Sequence, residues 1–80
     1  MQHRSIATIA REIQSDWGDR VWFGAKPYLR AMLSIDRIDE RYGEDSAKSV
    51  VLYFLANAGQ WRGEKARAIK KELKQICGIK

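Results

Sequence analysis

The chain has 80 residues, 45% of them hydrophobic, with 15 Lys and Arg against 10 Asp and Glu, one His and one Cys. That length supports one domain over residues 1–80, and a chain so short buries only about 60–65% of the surface it exposes when unfolded, so each large apolar side chain counts. The composition excludes a disordered or low-complexity chain, and the lone Cys excludes an intrachain disulfide framework and a cysteine-built zinc site.

Glycines punctuate four apolar-periodic segments. Ser5 is placed to cap a first helix, because its hydroxyl can accept from the unpaired amides of the first turn. Ile6, Ile9, Ala10, Ile13 and Trp17 follow at helical spacing and Gly18 is a natural stop, so the pattern predicts a helix from about Ile6 to Trp17. In the next stretch Val21, Trp22 and Phe23 favour a strand. Gly18 and Gly24 bracket them, however, and no second strand pattern stands ready to pair. A loop with its aromatics packed inward is the expectation.

Pro27 suits the first turn of a second helix, where its missing N–H goes unneeded. Tyr28, Met32, Ile35, Ile38 and Tyr42 then recur every three or four residues, with Gly43 at the C′ position. On this reading Asp36, Asp39 and Glu40 lie on the polar side of that helix's last turns. Asp45 or Ser46 caps a third helix running to Ala58, and its middle, Val50 to Ala56, is apolar all round, as in a helix buried at the centre of a bundle. The fourth helix spans Gly63 to Cys77 and ends at Gly78. The fold expected is all-α: a compact bundle of about four short helices.

The apolar run Val50–Ala56 is too short to cross a bilayer, and nothing near the N-terminus reads as a signal peptide, so a soluble cytoplasmic protein without a membrane partner is expected. Charge is unevenly placed. Residues 1–60 balance their acids and bases, whereas residues 61–80 carry seven basic side chains against Glu64 and Glu72, which accounts for the whole net charge of +5. Ala66, Ile69, Leu73, Ile76 and Cys77 share one face of the fourth helix, and Arg67, Lys70, Lys71 and Lys74 form a stripe beside it. Arg62 and Lys65 extend the stripe towards the helix start, after Trp61. Such a stripe suits phosphates or an acidic protein surface. It also suits plain solvation and the helix dipole, or neutralisation by Asp36, Asp39 and Glu40.

The Gln60-Trp61-Arg62-Gly63 connection offers an exposed aromatic–arginine contact of the kind that anchors interfaces. The alternative folds Trp61 back as a staple for the fourth helix. Helices three and four around Gly59 superficially resemble a helix-turn-helix. That motif prefers a small residue four before the turn Gly and an aliphatic one six after it; Leu55 and Lys65 stand there instead. No cofactor, no metal site and no catalytic constellation is expected. His3 has no ligand-forming neighbour, no Gly-rich phosphate loop exists, and three carboxylates on a solvated face are ordinary. Cys77 reads as a small apolar residue of the inner face.

Three stretches carry a resemblance: Ser5-Ile6-Ala7 through Ala10-Arg11-Glu12-Ile13; Phe23-Gly24-Ala25 with Pro27-Tyr28-Leu29; and Val51 to Ala58 with Trp61-Arg62-Gly63-Glu64. Together they are similar to a group of short open reading frames carried by bacterial phages, plasmids and integrative elements. The resemblance covers nearly the whole chain and implies a mobile-element accessory protein acting in a bacterial host, a size class that includes anti-CRISPR inhibitors. It supplies no functional residues. The expected function is therefore non-enzymatic binding of a host protein or ribonucleoprotein complex with an acidic surface, through Trp61, Arg62, Lys65, Arg67, Lys70, Lys71 and Lys74. The alternatives are a DNA- or RNA-binding protein using the same cations, and a structural homo-oligomer in which the basic helix meets the acidic turns of helix two in a second copy.

Overall fold

The computed structural model describes residues 4–78; the fold is all-α, and the described residues form four α-helices with one minimal hairpin between the second and third. Helix α1 (Ile6–Trp17) has the boundaries its pattern predicts. The Ser5 hydroxyl accepts from the Thr8 amide at 3.0 Å, and Gly18 closes the helix at φ +62°. A 3-10 turn, Gly18–Arg20, follows.

Helix α2 (Lys26–Met32) is the main departure from expectation. It stops ten residues before Tyr42. The amides of Ser34 and Ile35 donate to Ala31 and Met32 carbonyls, tightening the ladder into turns. Two polar contacts then hold the chain off the helical path. The Asp36 carbonyl accepts the Ile6 amide at 3.0 Å. The Glu40 carboxylate accepts from the Arg37 amide at 3.2 Å and, more weakly, from Asp36 at 3.4 Å. Ile35 still reaches the core, at 1% exposure, so the apolar spacing is satisfied without a helix. Strands β1 (Arg41–Tyr42) and β2 (Asp45–Ser46) pair antiparallel, Tyr42 opposite Asp45. Gly43, expected as a helix cap, supplies its positive φ to the hairpin turn instead.

Helix α3 (Ala47–Ala56) is capped by Ser46, whose hydroxyl accepts from the Ser49 amide at 3.1 Å. It is not buried all round: Val50, Val51 and Phe54 face the core, while Tyr53 is 52% exposed. Helix α4 (Glu64–Ile76) buries Ala66, Ile69, Leu73 and Ile76, with Cys77 just beyond, as its wheel predicts. Helix α1 packs against both α2 and α4, and α2 against α3. One hydrophobic cluster draws on all four helices.

The aromatics divide sharply. Trp61 stacks on Trp17, ring centroids 5.7 Å apart and 14° from parallel, and Trp17 meets Phe54 edge-on at 6.3 Å. Trp22 and Phe23, expected inside, are instead at the surface, Phe23 at 71% exposure.

Candidate functional site

The basic residues singled out in the sequence fall into two groups once α4 is seated on α1. Arg62, Arg67, Lys71 and Lys74 are exposed and make no ion pair among the described residues. The same apolar stripe that buries Ile69 and Leu73 against the core forces Arg67, Lys71 and Lys74 outward. Lys65 is exposed too, but its Nζ lies 3.5 Å from the Glu12 carboxylate of α1. Lys70 is withdrawn: it is half-buried, donates to the Trp61 carbonyl at 2.6 Å and lies 5.9 Å from the Trp61 ring. Burial pushes its ammonium below the ordinary lysine value, and Lys74 and Arg62 add repulsion. It therefore holds the approach to α4 in place, and the free stripe is Arg67, Lys71 and Lys74 with Arg62 ahead of it.

Trp61 is 2% exposed and offers no anchor to a partner. Its indole Nε1 donates to the Asp16 carboxylate at 2.8 Å, which removes the cost of burying that polar edge. It folds inward as the staple alternative has it, but its aromatic partner is Trp17 of α1. The expected aromatic–arginine contact at residues 60–63 is thus reduced to its arginine.

The neutralising acids are also other than expected. Asp36, Asp39 and Glu40 lie in the turns after α2; Asp39 pairs with Arg37 at 2.9 Å and Glu40 is committed to backbone amides. The helical acidic face that a second copy was to offer α4 does not form. Glu12 and Glu72 instead hold Arg4, with Glu72 at 2.7 Å, tying the start of the chain to α4. The hydrogen bond from Arg4 keeps the Glu12 carboxyl below its usual range, and Lys65 reinforces this.

Arg20 is the cation that sequence reasoning missed. The 3-10 turn after α1 brings it to a surface depression shared with Asp16, Gln60 and Arg62. Arg62 also borders an adjoining depression with Arg67 and Lys70, and Arg67 borders the next with Lys71. Arg20, Arg62, Arg67 and Lys71 thus follow one another through three neighbouring hollows. Asp16 lies within the first, its carboxylate already accepting from Trp61, so two guanidinium groups outweigh one acid there.

Among the described residues no group of three or more His, Cys, Asp and Glu is placed to hold a metal ion, and His3 lies outside them. Cys77 is buried, which pushes its thiol up and away from the reactive thiolate. No helix among the described residues is long and apolar enough to cross a membrane. No protein-family model, curated protein or solved structure matches the chain.

Proposed function

We propose that this chain is a non-enzymatic accessory protein of a phage or mobile element, docking the exposed face of α4 onto a host macromolecule that bears dense negative charge. One observation carries the reading. The segment that holds the whole net charge of +5 is also the one whose Arg62, Arg67, Lys71 and Lys74 stand in solvent without acidic partners among the described residues. Four cations without an ion pair among the described residues, along one short surface with Asp16 and Glu64 nearby, cost the fold self-repulsion, and an anionic partner relieves it.

In its most specific form the partner is a nucleic-acid-guided defence complex, and the action is steric, as in anti-CRISPR inhibition. The test is target cleavage by purified effector complexes with and without the protein. Wild type should co-elute with an effector and suppress cleavage. An Arg67→Glu/Lys71→Glu/Lys74→Glu variant should do neither. Full cleavage with wild type, and no co-elution, would defeat the inhibitor reading.

The burial of Trp61 favours a second reading, in which the same cations contact nucleic-acid phosphates directly. Without an apolar anchor at Trp61 the α4 face is mainly cationic, with Glu64 as the acid beside Arg67 and Lys71, the character of sequence-tolerant backbone binding rather than of a tight protein interface.

A further inference from the structure

Three large apolar side chains are exposed among the described residues: Trp22 at 36%, Phe23 at 71% and Tyr53 at 52%. Two of them are consecutive. Their rings lie 4.3 Å apart, tilted by 53°. The segment that bears them is an ordered turn, closed by the Ala25 amide donating to the Trp22 carbonyl at 2.8 Å and the Lys26 amide to Phe23 at 3.3 Å. Gly24 completes it. A Cβ there would stand 2.6 Å from Trp22 Nε1 and 3.1 Å from Asn57 Oδ1, so the indole lies against bare backbone while Phe23 projects into solvent.

The charge around the pair is positive. Arg20, Lys26 and Arg30 are exposed within the same stretch, against Asp19 alone. Arg20 is two residues from Trp22, hence at most about 7.6 Å away between Cα atoms. It is also the first member of the run through Arg62 and Arg67 to Lys71.

From this juxtaposition we propose that Phe23 and Trp22 form a base-stacking platform for single-stranded nucleic acid, with Arg20, Arg62, Arg67 and Lys71 following its phosphates. The inference rests on the nucleic-acid reading of α4 and adds the strand form. A duplex keeps its base faces stacked on one another and has none to give a surface ring, whereas every unpaired base has a π-face free. Aromatic platforms beside a cationic groove are what sequence-tolerant single-strand binding requires. An acidic protein could also seat the two rings, and that alternative is the outcome in which wild type binds neither strand form.

Fluorescence anisotropy of a labelled single-stranded oligonucleotide and of the corresponding duplex tests this, with wild type, Phe23→Ala and Arg67→Glu/Lys71→Glu. Wild type should prefer the single strand. Phe23→Ala should weaken single-strand binding about 5- to 150-fold, the loss of one stacked base, and leave duplex binding unchanged. Gly24→Ala, which displaces Trp22 without touching the core, should weaken it in the same sense. If Phe23→Ala binds the single strand as wild type does while Arg67→Glu/Lys71→Glu fails, the platform is wrong and the basic face stands. If wild type binds neither strand form, the nucleic-acid reading falls with it.

Discussion

Two segments of this protein set an arginine beside a tryptophan, and they have opposite fates. At Trp61–Arg62 the indole is interior, stacked on Trp17 and bonded to Asp16, and only the guanidinium is exposed. At Arg20–Trp22 both reach the surface, with Phe23 projecting beyond them. Residue type does not separate the two. The difference is a partner 45 residues away: Asp16, in the last turn of α1, receives the Trp61 N–H and makes its burial inexpensive. Trp22 has Gly24 beneath it and solvent above. An aromatic beside an arginine thus belongs to the core in one case and to the surface in the other, and only the surface pair is free to bind.

Mutations at the two sites should separate stability from binding. The largest effect is expected at the buried one. Trp61→Ala removes a stacked ring and its bond to Asp16, and should cost about 3–5 kcal/mol in denaturant unfolding. For a domain of this size that shifts Tm by well over about 10 °C. Trp61→Phe keeps a ring against Trp17 but loses the bond to Asp16 and part of the ring's volume, so a smaller cost of about 1–3 kcal/mol is expected. If the two variants unfold alike, the stack contributes nothing and the contrast between the segments is lost.

The cap of α3 is next in size. Ser46→Ala should destabilise by about 1 kcal/mol, read in the same unfolding experiment, because the Ser49 amide loses its acceptor. A smaller, pH-dependent effect belongs to Glu12. Its carboxyl lies below the usual range because Arg4 hydrogen-bonds its charged form. The stabilisation is therefore complete above the unfolded-state value and disappears as pH falls through the lowered folded-state value. Glu12→Gln should lower Tm slightly at neutral pH and converge on wild type as pH falls, flattening that part of the Tm-against-pH curve; the drop is small because both partners are partly solvated. Phe23→Ala should change stability least, within about 0.5 kcal/mol. A large loss there would mean that the exposed pair carries structural weight and would collapse the distinction from Trp61.

How far the sequence discloses this molecule depends on whether the signals are local. Ser5, the apolar positions from Ile6 to Trp17 and Gly18 lie within one element, and α1 follows from them. The inner face of α4 is equally legible, because it is a single wheel. Residues 33–46 mislead for a physical reason. Ile35 and Ile38 keep helical spacing, yet the Ile6 amide and the Glu40 carboxylate supply competing hydrogen bonds that no local pattern announces. Gly43 shows the same limit, since its positive φ is foreseen and its hairpin is not. At the site, exposure of Arg67, Lys71 and Lys74 follows from their positions on α4, and Arg62 lies just ahead of it. The withdrawal of Lys70, the burial of Trp61 and the arrival of Arg20 all require the end of α1 to meet the start of α4.

The central claim is that the positive charge of this protein acts as a face and not merely as a total. Retention on a heparin column, read as the salt concentration of elution, tests it most directly. Wild type is compared with Arg67→Glu/Lys71→Glu/Lys74→Glu and with Arg11→Glu/Arg37→Glu/Lys48→Glu, which makes the same change in net charge off α4. The account predicts that the α4 variant loses retention while the second variant elutes close to wild type. Equal loss in both would contradict it, reducing the basic helix to a contribution to net charge.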